Sequence, residues 1–209
     1  MSRLRVAVLA SGSGTTFQNL VERSQAGRLD VEIAALAVSR ADAFAKVRAE
    51  SLGIPVSVLP SDAMRNPALL GAHIGDFLTA HRADLCVMAG FLKLWNIPSA
   101  FSGRVMNVHP ALLPAFGGRL MYGHHVHDAV VRSGVKLTGA TVHFADDEYD
   151  HGPIIVQRAV DVAFGDTADD VAARVQEVER EIYPEAIALF AAGRLAIVDR
   201  RVEIRASKS

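Results

Sequence analysis

The chain has 209 residues, half of them hydrophobic and 22% charged, a balance that excludes disorder as its main state and suffices for a buried core. Its 22 Lys and Arg against 23 Asp and Glu leave a net charge of −1. That excludes a dedicated nucleic-acid binder with its usual basic excess, but not a local anion site. No stretch approaches the roughly 20 unbroken apolar residues of a membrane span. The lone Cys86, inside Leu85-Cys86-Val87-Met88-Ala89, excludes an intrachain disulfide and reads as a buried thiol. The expectation is one cytoplasmic domain over 1–209.

The first apolar run, Leu4–Ala10, is short and turns directly into Ser11-Gly12-Ser13-Gly14-Thr15, so it reads as a strand and not as a signal peptide. Leu4–Ala10, Val31–Val38, Val56–Leu59 and Leu85–Ala89 are nearly continuous in Val, Leu and Ala, the pattern of fully buried strands. Thr16–Ala26, Ala43–Leu52 and Pro67–His81 lie between them with helical length and spacing, and Gly27 and Gly53 stop the first two. This alternation predicts an α/β protein with a mostly parallel central sheet and helices on both faces. Further on, Arg104–His109 reads as a strand stopped by Pro110, and Pro110–Tyr122 as a loop. His125–Arg132 is a short helix. Leu137–Phe144 and Ile154–Asp161 are strands, with the acidic turn Ala145–His151 between them. Thr167–Phe190 is the longest helix, capped by Asp166 or Thr167, with Gly193 past its end. Leu195–Arg205 would form a small C-terminal hairpin bent at Asp199-Arg200-Arg201, and Ser207-Lys208-Ser209 would fray.

Ser11-Gly12-Ser13-Gly14-Thr15-Thr16 sits between a strand and a helix, where glycines let the backbone approach a ligand and a helix N-terminus offers unpaired N–H groups to an anion. A dinucleotide fingerprint would place glycine where Phe17 stands and an acid where Ser39-Arg40 stand, so a single phosphate fits better; a plain tight turn is the alternative. Asn107 and His109 lie two apart on one strand and share a face at its carboxyl end, an amide donor beside an imidazole. Taken alone, the pair reads better with His109 as a hydrogen-bonded residue of a strand-end core. The acids Asp146, Asp147, Glu148 and Asp150 suggest a solvated loop, and Asp150, just before Gly152-Pro153, is the one best placed to turn inward towards His109. His124, His125 and His127 lack the spacing of a metal site and are expected to be exposed or packed in a loop, with no metal bound. Phe91-Leu92-Lys93-Leu94-Trp95 is an apolar cluster at a strand end, either core or the wall of a pocket for a flat ring.

Taken in order, Ser11–Gly14, Ala89-Gly90-Phe91, Asn107-Val108-His109-Pro110-Ala111-Leu112-Leu113-Pro114, Thr141–Phe144, Asp147–Pro153, Arg174–Glu179 and Ile182-Tyr183-Pro184 resemble the folate-dependent formyltransferase family over nearly the whole chain. The resemblance implies a Rossmann-like fold, with a phosphate-binding half over about 1–100 and a folate and catalytic half over about 101–209. It implies formyl transfer from 10-formyltetrahydrofolate to the amine of 5′-phosphoribosylglycinamide in purine biosynthesis, by a monomer or homodimer acting on small molecules, without metal, membrane or nucleic acid. His109 would polarise the formyl oxygen, Asn107 would donate to it as it becomes an oxyanion, and Asp150 would orient His109. Gly14, Thr15 and Thr16 would hold the phosphate, with Gln176 and Glu179 on the ribose. Leu92, Lys93, Leu94, Trp95 and Asn107 would contact the folate, together with Asp146, Asp147, Glu148, Tyr149 and Asp150. Arg65 is a further candidate for the folate tail.

Two positions depart from familiar bacterial members: Thr16 replaces Asn, and His151 replaces Gly. The loop Ala115–His124 departs as well. The same three catalytic residues would serve a formyltetrahydrofolate deformylase with water as the nucleophile. A phosphometabolite-binding protein would need the glycine turn alone.

Overall fold

Strand β1, Leu4–Ala10, is fully buried from Val6 onward, as its unbroken apolar sequence requires. The computed structural model describes residues 3–206, so the expected fraying of Ser207-Lys208-Ser209 lies outside the described residues. The chain divides into two compact units, Met1–Asn107 and Val108–Ser209. The division falls inside strand β5 (Val105–His109). The fold is α/β, with a mostly parallel sheet and a small C-terminal hairpin.

In the first unit, β2 (Val31–Val38), β3 (Val56–Val58) and β4 (Leu85–Met88) join β1 and β5 in the order β3-β2-β1-β4-β5, every pair parallel. Helix α1 (Thr15–Gln25) buries Phe17, Leu20 and Val21, spaced to form one stripe. Each such side chain contributes about 1.5–3 kcal/mol by leaving water. Gly27, at φ 69, turns the chain after the helix ends. Helix α2 (Phe44–Ser51) is short. Helix α3 (Pro67–Ala80) starts at Asn66, whose side chain accepts from the N–H groups of Ala68 and Leu69, with Pro67 at its first position. Two 3₁₀ turns, Ala63–Arg65 and Ser99–Phe101, fall where no element was expected. One expectation is corrected: β3 is not fully buried, and Val58 is 44% exposed. It pairs only with β2 at the sheet edge, where one flank meets solvent.

In the second unit, β6 (Leu137–Phe144) and β7 (Ile154–Asp161) are antiparallel, β7 pairs in parallel with β9 (Arg201–Ile204), and β9 closes a hairpin with β8 (Leu195–Val198). Helix α4 (His124–Ser133) and the long α5 (Ala168–Ala191) pack on one another, and α5 also lies on β6 and β7. Thr167 and Asp170 form a reciprocal cap at the start of α5. The helix continues through Pro184, which has no N–H to donate, because Ile182, Tyr183, Ala186 and Ile187 around it are buried. Among the described residues no helix is long and apolar enough to cross a membrane.

Candidate active site

In the first unit the strand order reverses beside β1, since β2 and β3 lie on one side and β4 on the other. The carboxyl ends of β1 and β4 flank this reversal, the position at which sheets of this type bind ligands. The loops that leave them are tied together. The Ser11 N–H donates to the Gly90 carbonyl at 3.1 Å, and the Leu92 N–H donates to Ser11 Oγ at 3.2 Å. Ser39 donates its hydroxyl proton to the same Ser11 oxygen at 2.8 Å. Gly14 begins α1 at φ 75, and a Cβ there would lie 2.7 Å from Ala45, so only glycine fits. No side chain caps this helix start, leaving the first N–H groups, from half-buried Thr15 and Thr16 onward, aimed out of the turn. Of the cluster after β4, Leu92 is 45% exposed, Lys93 and Leu94 are half-buried, and Trp95 is buried in the core. Arg65 is exposed in its 3₁₀ turn.

Asn107 and His109 occupy alternate positions of β5, so the pleat sends both side chains to one face. In the second unit His109 is only 3% exposed, and its Nδ1 lies 3.4 Å from Oδ2 of Asp150. Its Nε2 donates to the Phe116 carbonyl at 2.8 Å, and a carbonyl can only accept, so Nε2 carries a proton. A ring protonated at both nitrogens has an acceptor on each side. The Gly118 N–H donates to Asp150 Oδ2 at 2.9 Å, so the loop 110–123 touches both members of the pair. Gln157 Nε2 donates to Thr141 Oγ1 at 2.9 Å and to the Leu113 carbonyl at 3.0 Å. Thr141 donates to the Ala111 carbonyl at 2.7 Å. These bonds fix the chain just beyond His109.

A second imidazole stands at the same carboxylate. Nε2 of His143 is 3.8 Å from Oδ1 of Asp150, while its Nδ1 donates to the Phe144 carbonyl at 2.9 Å. Burial pushes its pKa below the ordinary imidazole value. Nothing in the sequence marks His143 for this role except its place within Thr141–Phe144 on β6, just before the acidic loop. In that loop Asp147, Glu148 and Tyr149 are exposed, and Asp146 and Asp150 are half-buried.

Gln176 is exposed on α5, and Glu179, one turn on, is half-buried. Burial pushes the Glu179 carboxyl up to about 7. The three neighbouring histidines separate: His124 and His125 are exposed, but His127 is 6% exposed, correcting the expectation that all would be exposed or loop-packed. It shares the inward face of α4 with Val126 and Val130, and burial lowers its pKa. His124 bridges Asp128 at 3.1 Å and Asp169 at 2.9 Å, which raises its pKa. Among the described residues no group of three or more His, Cys, Asp or Glu is placed to share a metal ion.

A carboxylate aligned with a buried imidazole that can donate a proton is suited to acyl-type chemistry at a carbonyl. The family model for formyl transferase matches residues 4–187. Phosphoribosylglycinamide formyltransferase of Arabidopsis thaliana (chloroplastic) is 38% identical over 207 residues, 97% of this chain and 68% of its own length. The enzyme of that name from Escherichia coli is 34% identical over 194 residues, 92% of this chain and 89% of its own. The crystal structure of glycinamide ribonucleotide transformylase 1 from Symbiobacterium toebii superposes with a TM-score of 0.90 at 39% identity, covering 98% of this chain and 95% of that one. The chain belongs to the formyl transferase family.

Proposed function

We propose that the chain transfers the formyl group of 10-formyltetrahydrofolate to the primary amine of 5′-phosphoribosylglycinamide, a step of purine biosynthesis. The observation that carries this reading is the pairing of buried His109 with Asp150, 3.4 Å apart, in a chain of this family. The amine nitrogen attacks the formyl carbon, and the carbonyl pair moves onto oxygen to give a tetrahedral intermediate. Asn107 donates to that oxygen, and His109, held by Asp150, donates beside it. Preorganised donors of this kind stabilise the developing charge because they need no reorientation as it forms. Collapse re-forms the carbonyl and breaks the bond to the folate nitrogen. The amine releases one proton and the folate nitrogen takes one up, so no covalent enzyme intermediate is required.

In the same reading the turn at Gly14, Thr15 and Thr16 holds the phosphate. Gln176 and Glu179 meet the ribose, where a carboxyl near its midpoint can either donate to or accept from a hydroxyl. Leu92, Lys93 and Leu94, backed by the core residue Trp95, and Asp146 to Asp150 flank the pterin. The test is to incubate the chain with 10-formyltetrahydrofolate, with and without 5′-phosphoribosylglycinamide, and follow products by mass spectrometry. Consumption of the donor that depends on the amine, with one formylated product per donor lost, is the expected result. Formate release without the ribonucleotide would replace this reading with hydrolysis, and no consumption in either arm would leave a phosphometabolite binder.

A further inference from the structure

The loop between β6 and β7 that carries Asp150 is gripped by His151 and Arg200, side chains that the reaction above does not use. Asp150 adopts φ 54, a left-handed conformation that a non-glycine residue keeps only where its surroundings over-determine it. Two residues later the chain presses against β6, because a Cβ on Gly152 would stand 1.9 Å from the Phe144 carbonyl oxygen. Between them sits His151, where the family resemblance expects glycine. Its Nδ1 lies 2.8 Å from Oδ2 of Asp146, and the other oxygen of Asp146 accepts from the Glu148 N–H at 3.0 Å. On its far side stands Arg200, from the turn between β8 and β9. The guanidinium donates to Nε2 of His151 and, through Nη2 at 3.0 Å, to the His151 carbonyl.

Donor and acceptor chemistry fixes the state of this ring. A guanidinium only donates, so Nε2 must present its lone pair, and the ring proton sits on Nδ1, where the Asp146 carboxylate accepts it. This tautomer satisfies both neighbours at once. Arg200 also brings positive charge to a loop with four carboxylates in five residues, which otherwise repel one another. An isolated pair at this exposure contributes little, but these bonds share three side chains and close the loop on itself.

We propose that Asp146, His151 and Arg200 form a clamp that positions Asp150, with Arg200 holding both the ring and the carbonyl of the residue that follows it. His151 and Arg200 are positioning residues that act through Asp150, and this role rests on the reaction proposed above. The experiment compares the full chain with Arg200→Ala, His151→Ala, the double variant and His151→Gln, reading hydrogen exchange of segment 146–152 alongside steady-state kinetics. In Arg200→Ala, exchange of that segment should rise while the rest of the chain is unchanged. Its kcat should fall about tenfold, the scale of a small misplacement of a reacting group, with KM for the ribonucleotide within about twofold. The double variant should be no worse than either single one, and His151→Gln, which keeps an acceptor for Arg200, should recover most of the loss. Unchanged exchange in Arg200→Ala overturns the clamp whether or not the parent chain transfers formyl. Unchanged kcat in an active chain, or losses that multiply in the double variant, overturns the positioning role. A parent chain that transfers no formyl overturns the reaction reading and leaves the exchange arm to judge the clamp.

Discussion

Nε2 of His109 donates to the carbonyl oxygen of Phe116 at 2.8 Å, so the loop after β5 holds the end of the ring opposite Asp150. Phe116 does this from φ 53, a conformation that costs a bulky residue energy. The same loop satisfies Asp150 through the Gly118 N–H. A substrate oxygen that takes a hydrogen bond from Nε2 must compete with Phe116 for it, so binding and loop position are linked.

Asp150→Asn keeps an acceptor for Gly118 but removes the charge beside His109. Turnover should fall on the order of a hundred- to ten-thousandfold, the range of losses when acid–base assistance is removed. Affinity for the phosphate-bearing substrate, measured by calorimetric titration, should hardly change. Normal turnover in this variant would remove Asp150 from the mechanism.

Asn107→Ala deletes an amide two positions before His109 on β5. Loss of one oxyanion donor costs about 2.7–4 kcal/mol in the transition state, so kcat should drop roughly a hundred- to thousandfold. Single-turnover rates at saturating substrates measure this directly. A change confined to KM would mean that Asn107 binds substrate without stabilising the oxyanion.

Gly14→Ala forces a Cβ to within 2.7 Å of Ala45 and holds it at φ 75. The strain should lower stability by about 1–3 kcal/mol and distort the turn, raising KM for the phosphate-bearing substrate more than it lowers kcat. Gly12→Ala, where an added Cβ meets nothing within 4 Å, is the control and should leave Tm nearly unchanged. Equal Tm values for the two variants would refute the steric argument.

Glu179 carries a folded-state pKa of about 7, above its ordinary value of 4.5, because burial disfavours its charge. The folded chain binds this proton more tightly than the unfolded chain, so the group's contribution to stability is intact below the unfolded value. It is lost as pH rises through the folded one. Glu179→Gln should therefore stabilise the protein at pH 8 on the order of 1–2 kcal/mol, allowing for residual solvent access, and have little effect near pH 4. Thermal melts of both proteins across this range give the answer; a constant difference in Tm would contradict the assignment.

Local sequence determined most of the elements, because strand and helix periods are set within a few residues. Val31–Val38, Leu137–Phe144 and Ile154–Asp161 begin and end where their apolar patterns do, and Thr167 caps α5 through chemistry contained in four residues. The inward turn of Asp150 towards His109 was legible for a related reason, since Gly152-Pro153 turns the chain just after it, and the two side chains lie 3.4 Å apart. What only tertiary structure decided depends on contacts between distant residues. The edge position of β3 exposed Val58, the inward face of α4 buried His127, and strand pairing brought His143 to Asp150. The route of the hairpin set Arg200 against His151, 49 residues away. Such meetings follow from register and loop path, quantities that no local window of residues encodes.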